Sequence, residues 1–141
     1  MAEVKDVMIK DVVTVDAVDT VLHAAEVMAD NDVGSVVVEL NGEAAGILTE
    51  SDIISKVVVR KKDPKITQVK SVMSSPLVTI HPLSTLEEAV EVFNETGFKR
   101  LAVTSGDSLE GILSIEDLIT EETRFIKVLE RYIELLKARS C

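Results

Sequence analysis

The feature that most constrains this chain is an internal duplication. When the sequence is shifted by 65 residues, positions 4–54 align with positions 69–119 without a gap, and 16 of the 51 aligned pairs are identical. The stretch "GILTESD" at 46–52 returns as "GILSIED" at 111–117. Because one register holds over such a length, we interpret the chain as two copies of one structural unit.

Each copy has the residue pattern of a strand, a helix, two more strands and a second helix. A short extended segment, 12–15 or 77–80, comes first. The helix after it is predicted to begin at Asp19 in the first copy and, in a capping-box pattern, at Ser84 with Glu87 in the second. Apolar residues then recur at i, i+3, i+4 and i+7, which places one apolar stripe on one face of each helix.

The second half of each copy is a predicted hairpin followed by a helix that starts inside the repeated motif. Asn41-Gly42 predicts a tight turn in the first hairpin, because both residues accept positive φ. Gly106-Asp107 indicates a looser turn in the second hairpin. The predicted strands span 35–40, 44–49, 100–104 and 109–114, and the predicted buried face of the first motif helix is Ile53, Ile54, Val57 and Val58.

These elements predict a fold of the α/β (α+β) class, with two tandem β-α-β-β-α units that pack as one body with pseudo-two-fold symmetry. One unit alone is too small to bury its apolar faces well. The predicted organisation is a first unit at 1–60, a linker at 61–68, a second unit at 69–120 and a C-terminal amphipathic helix at 121–141.

Composition and charge exclude several classes of function. The formal net charge of −10 opposes binding to nucleic acid, because nucleic-acid binders normally carry a basic surface. The apolar runs fall far short of the roughly 18 residues that a membrane span needs. The opening "MAEVKDVMIKD" lacks the apolar core of a signal peptide. We therefore expect a soluble cytoplasmic protein without membrane insertion, in which the single cysteine, Cys141, forms no internal disulfide.

The chain resembles the cystathionine-β-synthase (CBS) domain family in its order of elements, its tandem duplication, the openings "VVTV" and "VMSSPLVTI", and the closing pattern G-I-L-[TS]-x-x-D. The resemblance covers residues 4 to about 120, and such a pair is often called a Bateman module. It implies a regulatory module that binds AMP, ADP, ATP or S-adenosylmethionine in clefts between the two units. Such pairs usually sit beside an enzyme, channel or transporter domain, and this sequence shows none, so the resemblance is to a stand-alone CBS pair. We therefore expect it to act on a separate partner such as an enzyme or a transporter.

The repeated motif permits two interpretations. Thr49 and Ser114 stand where a strand becomes a helix, so each hydroxyl is a candidate helix cap. Asp52 and Asp117 follow at the position that reaches back in a capping box. The family resemblance implies a different role, in which the two aspartates hold the ribose of a ligand and the two hydroxyls lie beside it. We favour the ligand role for at least one copy, and expect Gly46 and Gly111 to allow a close backbone approach or a bulge.

A basic pair makes the two copies unequal. Lys99-Arg100 resembles residues that contact phosphate in the family, whereas the first copy has the uncharged Gly34-Ser35 at the aligned positions. An exposed basic pair at a strand start is common, but adjacent cations in an acidic protein also suit a phosphate clamp. We expect one phosphate-competent site and one weaker or vacant site, although the sequence does not indicate which aspartate lies beside the pair. The resemblance implies base contacts for Thr14 and Thr79, and a purely structural role at a sheet edge is almost equally consistent with them.

No grouping of reactive side chains points to catalysis or to metal binding. His23 and His81 are isolated, and no nucleophile is placed beside a base.

Three functions compete: a sensor of an adenosine-containing ligand, a non-catalytic dimerisation scaffold with degenerate ligand sites, and an enzyme. The uncharged Gly34-Ser35 gives the scaffold some support, and we expect no enzyme activity.

The stretch after the second copy predicts a long amphipathic helix, because it contains no Gly or Pro from Glu116 to Arg139. Its apolar stripe consists of Phe125, Ile126, Leu129, Tyr132, Ile133 and Leu136. Such a stripe must be covered either by its own unit or by a second chain. We favour the second alternative and expect a homodimer.

Overall fold

The structure is a computed structural model that describes residues 2–75, 77–119 and 126–139. It confirms the β-α-β-β-α order in both copies of the repeat, and therefore the α/β fold class. The elements are α1 (Val4–Val7), β1 (Thr14–Asp16), α2 (Val21–Asp30), β2 (Ser35–Leu40), β3 (Glu43–Thr49), α3 (Glu50–Ile53), a π-helix (Ile54–Val58), a 3-10 helix (Val69–Ser71), β4 (Thr79–Ile80), α4 (Leu86–Thr96), β5 (Arg100–Ser105), β6 (Ser108–Ser114), α5 (Ile115–Ile119) and α6 (Ile126–Arg139).

The chain divides into two units, which we name after the aspartate of the motif that each contains. The Asp52 unit is Val12–Val78, and the Asp117 unit combines Met1–Asp11 with Thr79–Cys141. Each unit has a three-stranded sheet, β1-β2-β3 or β4-β5-β6. In both sheets the central strand runs parallel to the first strand and antiparallel to the third.

The two compact units regroup the two sequence repeats, because the opening segment of each copy packs with the remainder of the other copy. The Val4 N–H donates to the Ser84 carbonyl at 2.8 Å. Val69, which aligns with Val4, donates to the Asp19 carbonyl at the same distance of 2.8 Å. The predicted boundaries therefore describe the repeats along the chain, and the compact units exchange the segments before each sheet.

The glycine of each motif gives the exchanged segment room to lie against the sheet. A Cβ atom added to Gly46 would lie 2.7 Å from the Ser74 carbonyl oxygen, and one added to Gly111 would lie 2.7 Å from the Ile9 carbonyl oxygen. A real Cβ would clash with the backbone at that distance. The structure thus confirms the close backbone approach that these two glycines indicated.

Both long helices of the repeats begin one residue later than predicted. The caps are Thr20 and Thr85, and the predicted caps Asp19 and Ser84 lie just outside the helices. The reason in the first copy is local hydrogen bonding, because the Thr20 hydroxyl accepts from the His23 N–H at 3.1 Å and the Asp19 carboxylate accepts instead from the Asp16 N–H at 3.0 Å. The Thr85 hydroxyl accepts from the Glu88 N–H at 3.1 Å, and the Glu88 carboxylate accepts in return from the Thr85 N–H at 3.0 Å.

The first motif helix changes into a π-helix, and its predicted buried face is wrong at two positions. Val57 is buried and Ile53 is partly buried, but Ile54 and Val58 are 58% and 64% exposed. The Val59 N–H donates to the carbonyl of Ile54, five residues earlier, at 2.9 Å. Ile54 and Val58 each lie one residue after Ile53 and Val57, so the buried face of this helix is narrower than predicted.

The helix α6 packs on its own unit, against α4 and α5. Tyr132 and Leu135 are buried, whereas Ile133 and Leu136 are 48% and 41% exposed. The unit itself therefore covers part of the predicted stripe. Phe125 and Cys141 lie outside the described residues. Among the helices that are described, none combines the length and the apolar character needed to cross a membrane.

Candidate ligand-binding site

The structure divides the predicted site residues between the two units, so that each unit is a separate candidate site. The Asp52 unit contains Thr14, Thr49 and Asp52. The Asp117 unit contains Thr79, Lys99, Arg100, Ser114 and Asp117.

In the Asp52 unit, the repeated motif forms a complete capping box at the start of α3. The Thr49 hydroxyl accepts from the Asp52 N–H at 3.2 Å. Asp52 Oδ2 accepts in return from the Thr49 N–H at 3.0 Å and from the Thr49 hydroxyl at 3.1 Å. The helix-cap interpretation is therefore confirmed for this copy.

The other oxygen of the same carboxylate is engaged by side chains from outside the motif. The ammonium of Lys56 lies 3.0 Å from Asp52 Oδ1, and the Ser74 hydroxyl lies 3.4 Å from the same atom. Lys56 also donates to the Val72 carbonyl at 3.0 Å. With the two bonds at Oδ2, these contacts use the roughly four acceptor positions of a carboxylate. Asp52 is accordingly buried, with 7% of its surface exposed.

Sequence reasoning missed Lys56 and Ser74. Lys56 carried a detectable signal, because it follows Asp52 by four residues, a spacing at which opposite charges attract on a helix. Ser74 reaches Asp52 from 22 residues along the chain, and no local pattern indicates such a contact.

In the Asp117 unit, the basic pair lies beside the motif. Arg100 begins β5 and stands opposite Ser114, the last residue of β6. The Lys99 carbonyl accepts from the Ile115 N–H at 3.0 Å, and the Ser114 N–H donates to Asp117 Oδ2 at 2.8 Å. Lys99 and Arg100 therefore belong to the same unit as Asp117, at the start of the strand that pairs with the motif strand β6.

The side chains at this corner differ in how accessible they are. Lys99 is exposed, Arg100 and Asp117 are partly buried, and Ser114 is buried. The two basic residues and the aspartate thus retain contact with solvent.

The Asp52 unit has the same backbone arrangement without the cations. Ser35 stands opposite Thr49, and the Gly34 carbonyl accepts from the Glu50 N–H at 3.1 Å. The difference between the two corners therefore lies in their side chains.

The two threonines of the first strands are not brought next to the aspartates along the sheets. Thr14 lies on β1 opposite Val37, and Thr79 lies on β4 opposite Ala102. In each sheet this strand and the strand that ends in the motif occupy opposite edges.

The two histidines have local partners. His23 Nε2 lies 3.9 Å from the Asp19 carboxylate, and His81 Nδ1 accepts from the Leu83 N–H at 3.0 Å. In the part of the chain that the structure describes, no three or more His, Cys, Asp or Glu side chains are grouped to hold a metal ion.

Comparison with known proteins agrees with this architecture. The model of the CBS domain family matches the chain twice, at residues 4–59 and 69–123. The chain therefore belongs to the CBS domain family, as a tandem pair of CBS domains.

Three similar proteins illustrate the range of the family. The CBS domain-containing protein YhcV of Bacillus subtilis is 33% identical over 122 residues, which are 86% of this chain and 86% of YhcV. A hexameric CBS-CP12 protein from bloom-forming cyanobacteria is 30% identical, with a TM-score of 0.82 over 90% of this chain and 74% of that chain. A CBS domain protein from Pyrobaculum aerophilum, complexed with AMP, has the same fold at 20% identity and a TM-score of 0.81, over 92% of this chain and 99% of that one. This chain spans 64% and 66% of the length of two archaeal relatives that it matches.

Proposed function

We propose that this chain is a regulatory module that binds an adenosine-containing ligand through its Asp117 unit and acts on a separate protein. One observation carries the proposal: Arg100 stands opposite Ser114, and Lys99 bonds to the first residue of α5. Two cations, a hydroxyl and a carboxylate therefore lie at one end of one sheet. A nucleotide presents the complementary groups, since its diol donates to a carboxylate and its phosphate binds cations.

The roles follow from the chemistry of each group. Asp117 accepts hydrogen bonds from the ribose diol, with Ser114 beside it, and Lys99-Arg100 binds the phosphate. For Thr79 a base contact rests on the family resemblance alone. Thr14, Thr49 and Asp52 would form the corresponding, weaker site of the other unit.

The basic pair favours an adenine nucleotide over S-adenosylmethionine. AMP, ADP and ATP carry phosphate, which complements two adjacent cations, whereas the sulfonium of S-adenosylmethionine is itself positive. The AMP complex of the Pyrobaculum aerophilum protein supports AMP as a ligand that this fold accommodates.

We also propose that the module forms a homodimer and acts on an enzyme or a transporter rather than catalysing a reaction. The exposed Ile133 and Leu136 of α6 give a second copy an apolar surface to cover. The hexameric state of the cyanobacterial relative supports self-association in this family.

A dimerisation scaffold with degenerate ligand sites is the second candidate. Two observations in the Asp52 unit favour it: Gly34-Ser35 carries no charge, and four donors already engage the Asp52 carboxylate. If the Asp117 unit were equally unable to bind, the module would serve assembly alone.

Calorimetry with AMP and adenosine tests the proposal. The double substitution Lys99→Ala/Arg100→Ala should weaken AMP binding more than adenosine binding, because only AMP carries a phosphate. The control Lys62→Ala/Lys65→Ala removes two exposed cations of the Asp52 unit and should change neither affinity. Equal losses for both ligands would remove the phosphate role, and no binding by the wild type would favour the scaffold.

A further inference from the structure

We infer that Lys56 competes with a ligand for the Asp52 carboxylate and so prevents this copy of the motif from binding one. The chain then binds one ligand, through the Asp117 unit. The inference rests on the proposed function, because it explains why one of two aligned motifs would not bind the ligand that the other takes.

The position of the Lys56 ammonium supports this role. It lies 3.0 Å from Asp52 Oδ1 and 3.0 Å from the Val72 carbonyl oxygen, so two acceptors fix it in place. Its side chain is 44% exposed, whereas that of Asp52 is 9% exposed. The lysine is therefore the solvent-exposed partner of a carboxylate that is itself almost fully buried.

A ribose diol competes poorly with this arrangement. Its hydroxyls are neutral donors, whereas the Lys56 ammonium adds the attraction of a full positive charge to its hydrogen bond with the carboxylate. To reach Oδ1, the diol would displace the ammonium and the Ser74 hydroxyl. It would then leave a buried carboxylate without its cation, which is unfavourable.

The second copy has different residues at the two aligned positions. In the sequence, Glu121 aligns with Lys56, and Ile9 aligns with Ser74. The lysine and the serine that engage Asp52 are therefore not repeated in the second copy. Residues outside the repeated motif therefore distinguish the two copies.

The same comparison predicts which ligand an opened Asp52 motif would take. Gly34-Ser35 stands where the other unit has Lys99-Arg100, so the Asp52 corner has no cation for a phosphate. An opened Asp52 motif should bind adenosine at least as tightly as AMP.

The test uses the full chain with Asp117→Asn, which weakens the binding that we assign to the other unit. Adenosine and AMP are titrated by calorimetry into this variant and into Asp117→Asn/Lys56→Met. Methionine removes the ammonium and keeps most of the aliphatic chain. We expect the added Lys56→Met to tighten adenosine binding at least tenfold, and AMP to bind no tighter than adenosine.

Three controls in the same background locate the effect. Lys56→Arg keeps a cation and should leave the motif closed, and Lys62→Met removes an exposed lysine and should also leave it closed. Adding Asp52→Asn to the opened variant should abolish the gained binding. Circular dichroism checks folding, and Lys56→Gln, whose amide still donates to Asp52, replaces methionine if the first variant does not fold.

The outcomes separate the inference from the proposed function. If the wild type binds one ligand and Lys56→Met adds no adenosine binding, the inference is overturned and the proposed function stands. If the wild type binds nothing and Lys56→Met gains binding, the inference stands and the assignment to Asp117 fails. If no variant binds adenosine or AMP, both are wrong.

Discussion

The Asp52 unit and the Asp117 unit contain the same motif on the same strand-to-helix junction, but the surroundings of the two carboxylates differ. In the Asp52 unit, Lys56 and Ser74 complete the hydrogen bonding of a buried carboxylate. In the Asp117 unit, the corresponding corner has Lys99-Arg100 opposite and beside the motif. The first arrangement stabilises a helix start, and the second is the one that we propose to bind a nucleotide.

This difference indicates that the motif alone does not define a ligand site. The repeated aspartate accepts from the backbone N–H three residues earlier in either case, since Asp52 accepts from Thr49 and Asp117 accepts from Ser114. The residues that separate the two units lie outside the motif, on the strand before it, on the helix after it and on the exchanged segment.

The largest expected effect tests what the two units share. Gly46→Ala and Gly111→Ala should each destabilise the protein toward the upper end of the roughly 1–3 kcal/mol typical of overpacking, because the new Cβ meets a backbone carbonyl. Urea unfolding measures both, and Ser108→Ala, at an exposed strand position, should change stability by less than about 0.5 kcal/mol. A unit that tolerates the alanine would not hold its exchanged segment as closely as described.

The second effect separates the units by stability. Asp52→Ala removes a cap, worth about 1 kcal/mol, and also leaves Lys56 and Ser74 without their acceptor, so we expect a loss of about 2 kcal/mol. Asp117→Ala removes the acceptor of the Ser114 N–H, and the same measurement on this variant gives the comparison between the units. Unfolding in urea measures both variants, and a loss for Asp52→Ala no larger than the about 1 kcal/mol of a cap alone would contradict the structural role that we assign to Asp52.

The fold could be predicted from the sequence wherever the deciding interactions are local. Asn41 and Gly42 do adopt positive φ, 54° and 81°, as an Asn-Gly hairpin requires. The exchange of the opening segments and the π-helix could not be predicted, because packing between distant residues decides both. The cap positions were wrong by one residue because overlapping patterns, with Thr85 and Glu88 one step after the predicted pair, satisfy the same rule.

At the candidate site, the pairing register of β5 and β6 could not be predicted from the sequence either. Without a bulge, the short turn that pairs Ser105 with Ser108 would place Arg100 opposite Leu113. A register shift after Val103 moves its partner to Ser114 and so aligns the basic pair with the motif. The motif and the two cations were visible in the sequence, but the bulge that joins them was not.

The third effect concerns AMP affinity, and here we expect the larger loss at Asp117 rather than at Asp52. Asp117→Asn should weaken AMP binding by roughly tenfold or more, about 1.4 kcal/mol, because the amide loses the charge that attracts the diol. Asp52→Asn should leave the AMP affinity unchanged. Calorimetry measures both variants, and a larger loss at Asp52 than at Asp117 would reverse the assignment of the units.

The smallest expected effect compares the starts of α2 and α4. The hydrogen bonds from the Thr85 backbone and hydroxyl lower the pKa of Glu88 below its usual 4.5. A lowered pKa means that this carboxylate stabilises the folded state above its unfolded pKa, and that the contribution is lost as the pH falls through the folded pKa. The difference in melting temperature between the wild type and Glu88→Gln should therefore shrink on acidification.

At the start of α2, His23 occupies the position that aligns with Glu88, so Thr20 accepts from the His23 N–H but receives no acid in return. His23→Gln should complete the capping box without adding a negative charge beside Asp19, and should raise the melting temperature slightly. Because glutamine does not titrate, this gain should persist at acidic pH, where the contribution of Glu88 is lost. Thermal unfolding followed by circular dichroism at several pH values measures both variants. If Glu88→Gln shows the same deficit at every pH, the carboxylate does not hold the box, and if His23→Gln brings no gain, the open half of the α2 cap is already satisfied in solution.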